Sequence, residues 1–308
     1  MNREIIVIAG PTAVGKTKYA IETALKFNGE VVSCDSMQLY KYMDIGSAKP
    51  TPEEQGRVKH YLVDEILPDA EFSVAKYQRL AKEAIEEIFH NGKTPVIAGG
   101  TGLYLNSLLY DMDFSAPPGD QVLRETLYKE ADEYGARYIF DKLKALDAEG
   151  ANRIHPNNIK KVVRAIEAAT LGNKVKNFAT DLVPTKDYSA KLIGLTRQRE
   201  QLYDRINQRV DMLVDMGLLD EVKGLLNRGL KESDISMKGI GYKEIIGYYN
   251  GEYSLDEAID LVKRNTRHLA KRQLTWFKRY EQMQWFNISE YADDESCLED
   301  IYKWLKKK

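Results

Sequence analysis

The stretch GPTAVGKT, residues 10–17, decides the fold of this chain. It matches the phosphate-binding loop pattern G-x-x-x-x-G-K-[S/T] at every fixed position. An apolar run at residues 5–9 precedes the loop and indicates a buried strand, and residues 18–25 after it indicate a helix. Backbone N–H groups of such a loop, together with the helix N-terminus, form a nest for phosphate oxygens. We therefore expect a diphosphate or triphosphate site here.

Two side chains of this loop add chemistry to the nest. Lys16 is expected to bring a positive charge to the terminal phosphates, and the Thr17 hydroxyl is expected to hold Mg²⁺. The alternative is a glycine-rich turn that binds nothing. The loop alone does not say which phosphate compound it binds, or what reaction follows.

Composition predicts a globular protein that can bury a sizeable core. The 308 residues are 43% apolar and 30% charged, and 45 basic against 47 acidic residues leave a net charge of −2. Overall charge therefore gives no indication of a nucleic-acid partner, but its distribution does. A basic run without acidic residues precedes Glu281, and it comprises Lys263, Arg264, Arg267, Lys271, Arg272, Lys278 and Arg279. The C-terminal tail around Asp293 to Asp300 is acidic and can hide this imbalance.

The two cysteines, Cys34 and Cys297, have neither metal-site spacing nor a disulfide pattern. No signal-peptide pattern is present, and no apolar run reaches the length of a membrane span. We therefore expect a cytoplasmic protein that does not associate with membranes.

Short apolar runs alternate with helical patterns, which predicts an α/β fold: a P-loop NTPase-like parallel sheet flanked by helices. The expected strands lie at residues 5–9, 30–34, 95–98, 191–195 and 283–287. A chain break at residues 117–120 opens a different region, in which long helical patterns follow with little strand character. We interpret residues 113–189 as a helical insertion domain. The catalytic core then comprises residues 1–112 and 190–308.

Asp35 directly follows the second predicted strand. The carboxyl ends of parallel strands face the ligand crevice, so this carboxylate can hold Mg²⁺ through water or act as a general base. Capping of a helix N-terminus is an equally good interpretation.

A second glycine-rich turn, GGTG at residues 99–102, follows the third strand. Its glycines allow the backbone to approach a ligand closely, with Thr101 as the hydrogen-bonding member. A plain strand-to-helix turn is the alternative. Arg205 and Arg209 share one helix face and could clamp a diphosphate, although a solvated basic face is the commoner outcome.

Aromatic residues interleave with the basic run near the C-terminus. Gln273, Trp276 and Phe277 among basic side chains suit phosphate contact and base stacking, but both rings could equally be core anchors. A second, smaller basic face lies in the insertion and comprises Lys160, Lys161 and Arg164.

In combination these stretches resemble the tRNA dimethylallyltransferase (tRNA isopentenyltransferase) family. The matching blocks are GPTAVGKT (10–17), SCDSMQLY (33–40), MDIGSAKP (43–50), GGTGLY (99–104), RIHPNN (153–158), KGIGYKE (238–244) and RQLTWF (272–277). The P-loop is generic, whereas all blocks in this order are highly specific. No Cys/His cluster matches the zinc-finger extension of eukaryotic relatives, so the resemblance is to the bacterial type.

The resemblance implies transfer of a dimethylallyl group from dimethylallyl diphosphate to tRNA. The acceptor is the exocyclic amino nitrogen of the adenosine immediately 3′ of the anticodon, and the P-loop binds the diphosphate of the donor. Asp35 resembles the general base, Thr101 the residue that hydrogen-bonds the adenine, and Arg205 a member of the catalytic diphosphate clamp. The implied diphosphate-binding residues are Gly10, Thr12, Ala13, Val14, Gly15, Lys16, Thr17 and Arg209, with Mg²⁺ near Thr17.

The same resemblance implies a set of tRNA-binding residues in a monomeric enzyme that contacts the anticodon stem-loop through its insertion. They are Asp35, Ser36, Met37, Gln38, Thr101, Ile159, Lys160, Lys161, Val162, Val163, Arg164, Gly241, Tyr242, Lys243, Arg272 and Gln273. The chain departs from the family at Ile159-Lys160-Lys161, where many members have Gln-Arg.

Three other functions remain open at this point. A P-loop nucleotide kinase would use Asp35 to position a hydroxyl acceptor. An adenylate isopentenyltransferase would act on a free nucleotide, but the helical insertion and the basic C-terminal helix favour a macromolecular acceptor. A non-catalytic tRNA-binding or GTPase-like switch is disfavoured because the guanine-reading Asn-Lys-x-Asp is absent.

Overall fold

The computed structural model describes residues 3–112, 121–172 and 182–307. These residues form two compact units, one comprising Met1–Leu109 with Thr185–Lys308 and the other Tyr110–Pro184. The predicted chain break at residues 117–120 lies outside the described residues. No helix in the described part of the chain combines the length and the apolar character needed to cross a membrane.

Among the described residues, the first unit contains the six strands and most of the helices. The strands are β1 (Glu4–Ala9), β2 (Gly29–Cys34), β3 (His60–Tyr61), β4 (Thr94–Gly99), β5 (Ser189–Thr196) and β6 (Gln284–Asn287). Its helices are α1 (Lys16–Lys26), α2 (Pro52–Arg57), α3 (Val74–His90), α4 (Gly102–Leu109), α9 (Arg199–Asp215), α10 (Leu218–Asn227), α11 (Tyr242–Tyr249), α12 (Leu255–Phe277) and α13 (Asp294–Leu305). The second unit contains α5 (Gln121–Tyr134), α6 (Ala136–Leu146), α7 (Ala148–Ala151) and α8 (Ile159–Thr170).

The sheet confirms the predicted parallel α/β architecture. Its strand order is β3-β2-β4-β1-β5-β6, and every pairing is parallel. In the centre, Val7 of β1 is in register with Ile97 of β4 on one side and Leu192 of β5 on the other. Helices on both faces account for the nearly continuous apolar character of the central strands.

This strand order brings the predicted site segments together. The P-loop follows β1, the Gly99–Gly102 turn follows the neighbouring strand β4, and Asp35 follows β2, which is next along the sheet. Because all strands run the same way, the three segments meet at one edge of the sheet. The local sequence could not show that β4 lies between β1 and β2.

The P-loop passes directly into α1. Gly15 precedes the helix with φ of 114°, a left-handed conformation that favours glycine over residues with a Cβ atom. The buried face of α1 includes Tyr19, Ala20, Ile21 and Ala24, and these residues pack in the core beneath the sheet. Burial of this apolar face holds the loop at the end of β1.

The structure adds elements that the sequence analysis missed. Strand β3 has two residues, too few to show any periodicity. The acidic region near residue 293, interpreted only as a charged tail, is in fact helix α13. Asp293 caps its N-terminus, and Asp294 forms an ion pair with Lys18 of α1 at 2.7 Å.

The second unit is a small helical bundle with its own core. Leu127 of α5, Ile139 and Leu143 of α6, and Val162 and Ile166 of α8 are buried together. The unit spans Tyr110–Pro184, so residues 185–189, predicted as part of the insertion, lie in the first unit, and residues 110–112, predicted as part of the core, lie in the second.

Hydrogen bonds of Thr185 and Tyr188 explain why residues 185–189 belong to the first unit. The N–H of Thr185 donates to the carbonyl of Leu109 at 2.9 Å, and the Tyr188 hydroxyl donates to the carbonyl of Leu108 at 2.9 Å. Both bonds stay within the first unit.

Candidate active site

The P-loop forms a cradle whose charge comes from Lys16. Its ammonium donates to the Pro11 carbonyl at 2.9 Å, so the side chain curls back over its own loop. Burial lowers the pKa of Lys16 from 10.5 to about 8, an effect that the nearby Asp35 carboxylate partly opposes. The site therefore holds a cation at a position where desolvation is costly, as expected where an anionic ligand completes the environment.

Three arginines surround the loop. Arg205 donates through Nε to the Ala13 carbonyl at 3.1 Å, and Arg197 donates through Nε to the Val14 carbonyl at 3.2 Å. Burial lowers the pKa of Arg197, and it also lowers the pKa of Arg209, which Asp35 partly restores. The sequence predicts Arg205 and Arg209 as members of the site but does not single out Arg197. Its position directly after β5, the strand beside the P-loop strand, could have identified it.

Asp35 and Thr101 lie on neighbouring turns that are hydrogen-bonded to each other. The Thr101 N–H donates to the Cys34 carbonyl at 3.1 Å, and the Thr101 Oγ1 accepts from the Ser36 N–H at 3.0 Å. The Asp35 carboxylate accepts from the N–H of Met37 at 2.9 Å in a tight turn, and no helix begins there. Helix capping is therefore not the role of Asp35, and its second oxygen remains for other chemistry.

Two cavities meet at these residues. One of about 250 Å³ is lined by the P-loop, by Asp35 and by polar groups that include Ser33 and Gln38. The second, of about 450 Å³, is lined by Thr101, Arg272, Gln273 and a largely apolar wall from α9 and α12. Thr12, Asp35, Ser47, Ala48 and Arg209 line both. A phosphate cradle and a roomier chamber thus adjoin across the Asp35 carboxylate.

The donor set of the smaller cavity fits a hard divalent cation. Thr17 supplies a hydroxyl oxygen and Asp35 a carboxylate oxygen to the same cavity. Mg²⁺ prefers oxygen ligands and commonly keeps several waters beside one or two protein groups and substrate phosphates. Thr17 would hold the metal here, and Asp35 would reach it only through a bound water.

The predicted tRNA-binding residues are distributed over both units. Ser36, Met37, Thr101, Gly241, Arg272 and Gln273 line the larger cavity, and Gln38 lines the smaller one. Lys243 is exposed, whereas Tyr242 is fully buried. Ile159, Lys160, Lys161, Val162, Val163 and Arg164 lie in α8 of the second unit. Among these, the lysines and Arg164 are exposed and the valines are buried in that unit's core.

Glu221 of α10 is a site residue that the sequence analysis did not identify. Its carboxylate accepts from three consecutive backbone N–H groups, those of Asp44 and Ile45 at 2.7 Å and of Gly46 at 2.9 Å. It also accepts from the buried Tyr242 hydroxyl at 2.7 Å. Because the next residues, Ser47 and Ala48, line both cavities, Glu221 fixes a wall of the site.

We expect Glu221→Gln to loosen this wall. The amide keeps the size of the carboxylate but loses its charge and one acceptor oxygen, so the free energy of unfolding should fall by roughly 1–3 kcal/mol. Urea denaturation measures this change, and steady-state kinetics should show a raised KM. Asp220→Asn, an exposed change on the same helix turn, is the control. Equal stability of the two variants would contradict this role for Glu221.

The parallel sheet, the P-loop and the adjoining chamber define a P-loop-type α/β protein with a phosphate cradle beside a second cavity. Residues 38–280 match the family model for IPP transferase. The chain is 52% identical to the tRNA dimethylallyltransferase of Alkaliphilus oremlandii, over 99% of this chain and 98% of that protein.

Solved structures agree with the sequence comparison. The full-length tRNA isopentenylpyrophosphate transferase of Bacillus halodurans has a TM-score of 0.75 and 42% identity, with 99% of this chain and 96% of that chain covered. A eukaryotic dimethylallyltransferase acting on tRNA has a TM-score of 0.79 and 27% identity, with 96% of this chain and 75% of that chain covered. The chain belongs to the IPP transferase family and is a prenyltransferase, which confirms the resemblance seen in the sequence.

Proposed function

We propose that this chain transfers the dimethylallyl group of dimethylallyl diphosphate to the exocyclic amino nitrogen of the adenosine 3′-adjacent to the anticodon in tRNA, releasing diphosphate. The observation that carries the proposal is the junction of the two cavities at Asp35, Thr12 and Arg209. The phosphate cradle suits the donor, and the chamber beside it suits the acceptor base.

In the proposed reaction, Asp35 is the general base. The amino nitrogen forms a bond to the dimethylallyl carbon while the bond from that carbon to the diphosphate oxygen breaks, and the diphosphate leaves with the electron pair. The nitrogen then carries an extra proton, which the free carboxylate oxygen of Asp35 takes up. An exocyclic aromatic amine is a weak nucleophile, so a positioned base is useful.

The P-loop and the arginines stabilise the departing diphosphate. Lys16, Arg205 and Arg209 place positive charge at the cradle. Burial makes the charges of Lys16 and Arg209 more effective than in water, whereas Arg205 is exposed and contacts the loop from its outer side. Mg²⁺ bound near Thr17, when present, supplies further positive charge to the leaving group. The phosphate cradle thus serves a leaving group, and no ATP is required.

The chamber is suited to an unstacked base. Thr101 holds one hydroxyl at its edge, and Ser36 and Met37 line the same wall. Ile206, Val210, Leu213, Leu269 and Trp276 contribute apolar surface. Extrusion of a base costs a few kcal/mol, which contacts to the tRNA backbone can offset. The apolar wall also excludes water, which would otherwise compete with the amine for the dimethylallyl carbon.

We further propose that α8 of the second unit contacts the tRNA backbone. Lys160, Lys161 and Arg164 are exposed along one side of this helix, while Val162 and Val163 anchor it in the core. The predicted contacts of Ile159, Val162 and Val163 would then be indirect, through placement of the basic side chains. A cytoplasmic location and a monomeric state stay predictions.

Salt dependence tests this surface. Lys161→Ala should weaken tRNA binding and reduce the slope of log affinity against log salt by roughly 0.7–0.9, because one phosphate contact is lost. The donor KM should not change. Lys144→Ala on α6 removes an exposed charge elsewhere in the same unit and serves as the control. An unchanged salt slope for Lys161→Ala would count against the proposed contact.

An acceptor competition tests the proposed function itself. Labelled dimethylallyl diphosphate and Mg²⁺ are supplied with tRNA, with the same tRNA carrying guanosine at the target site, or with AMP. We expect label only in the unaltered tRNA. Transfer to AMP alone would identify a free-nucleotide enzyme, and phosphoryl transfer from ATP would indicate a kinase.

A further inference from the structure

The side-chain amide of Gln273 lies between the two glycine-rich turns of the active site. Its Oε1 accepts from the N–H of Thr12 in the P-loop at 2.8 Å. Its Nε2 donates to the carbonyl of Gly100 in the second turn at 3.1 Å. One amide thus ties the loop after β1 to the loop after β4.

The second turn is packed tightly against this part of α12. A Cβ atom at Gly100 would lie 2.3 Å from the Gln273 Nε2, and one at Gly102 would lie 2.2 Å from the Trp276 ring. Gln273 and Trp276 are three residues apart and share one helix face. They therefore contact the residues on both sides of Thr101 and leave little freedom for this turn to shift.

The hydrogen bond between Gln273 and the P-loop reaches the phosphate cradle itself. Thr12 lines both cavities, and its N–H belongs to the backbone that forms the phosphate cradle. Gln273 and its neighbour Arg272 line the larger cavity from α12. The same turn of α12 therefore faces the acceptor chamber and holds the loop that would bind the donor.

We propose that Gln273 is a positioning residue that sets the spacing between the phosphate cradle and the Thr101 turn. This inference rests on the proposed function for the identity of the two substrates. With the bridge intact, the diphosphate and the adenine edge are held in fixed register, so the amine faces the dimethylallyl carbon. Loss of the bridge lets the two turns move independently, although every group that touches the reacting atoms remains.

The test is Gln273→Met, which keeps the approximate length of the side chain and removes both hydrogen bonds. The turnover number should fall by roughly 10- to 100-fold, since a misplacement of about 1 Å can cost 10²-fold in rate. Affinity for inorganic diphosphate with Mg²⁺, measured by calorimetry without tRNA, should fall several-fold. Affinity for tRNA should stay within twofold of the original protein, in contrast to the tRNA contact that the family resemblance implies for Gln273.

Two further variants make the result specific. Arg272→Ala should weaken tRNA binding and leave diphosphate binding unchanged, and Thr275→Ala on the exposed side of the same helix should change neither. Gln273→Glu keeps an acceptor for the Thr12 N–H but places a carboxylate beside the Gly100 carbonyl. It should lower turnover as well, and it replaces Gln273→Met if the methionine variant does not fold.

A Gln273→Met protein that loses tRNA affinity but binds diphosphate normally would overturn the proposal and make Gln273 a simple tRNA contact. The diphosphate measurement needs no acceptor. It therefore tests the bridge even if the acceptor proves not to be tRNA, and the two failures can be told apart.

Discussion

Asp35→Asn is expected to lower turnover by about 10²- to 10⁴-fold, the usual contribution of a positioned general base. The asparagine oxygen can still accept the Met37 N–H bond that holds the turn, so the loop should keep its shape. The amide cannot take up a proton from the attacking amine. Chemistry should therefore fail while the donor and tRNA still bind.

Single-turnover transfer to tRNA, together with calorimetry of donor binding, separates these effects. Asp69→Asn changes an exposed aspartate away from both cavities and is the matched control. Turnover near that of the control would reduce Asp35 to a residue that shapes the turn. Loss of donor binding with unchanged single-turnover chemistry would place its role in holding Mg²⁺ instead.

The second large effect is expected for Lys16→Met. Methionine retains the apolar stem but removes the ammonium from the cradle. Among the described residues, no other lysine side chain contacts the Pro11 carbonyl, so no second lysine takes the same position. The value of kcat/KM for dimethylallyl diphosphate should fall by roughly 10²- to 10³-fold, as when one preorganised electrostatic group is removed. Binding of tRNA alone should be unchanged, because the cradle serves the donor. Equal losses of affinity for the donor and for tRNA would contradict the assignment of the cradle to the donor.

The same lysine predicts a pH dependence. Burial lowers the pKa of Lys16 to about 8, so the ammonium is present below this pH and is lost as the pH rises through it. In the free enzyme, kcat/KM for the donor should therefore decline above about pH 8. In Lys16→Arg the decline should disappear, because a guanidinium stays charged in this range. A decline that persists in Lys16→Arg would assign it to another group.

Much of the site could be predicted because its residues lie in short, contiguous patterns. The P-loop, the Asp35 turn and the GGTG turn each follow a recognisable apolar strand, and parallel strands present such turns at one edge. Their order in space required the structure, since β4 lies between β1 and β2 although it follows both in sequence.

The contacts that could not be predicted from the sequence join distant parts of the chain. Gln273 reaches Thr12 across 261 residues, and Glu221 reaches Asp44 across 177 residues. No periodicity or local motif encodes such a pair, because each partner is an ordinary polar residue in its own segment. Tyr242 is a similar case. Its sequence block resembles a tRNA-contacting segment, but its ring is buried and its hydroxyl donates a hydrogen bond to Glu221.

Helix α13 is a different case, because its sequence contains the signals that predict a helix. Asp293 and Ser296 have capping-box spacing, and Cys297, Ile301 and Leu305 repeat at helical intervals. The prediction for this segment used its charge and not its helical periodicity. Their charge is structural, because Asp294 pairs with Lys18 and accepts from the Tyr19 hydroxyl at 3.0 Å.

The most direct test of the account is mass spectrometry of nuclease-digested tRNA after incubation with the protein, dimethylallyl diphosphate and Mg²⁺. We predict one added dimethylallyl group, on the base of the adenosine immediately 3′ of the anticodon, with one diphosphate released for each group transferred. A group found on another nucleotide, or release of diphosphate without modification of the tRNA, would contradict the account.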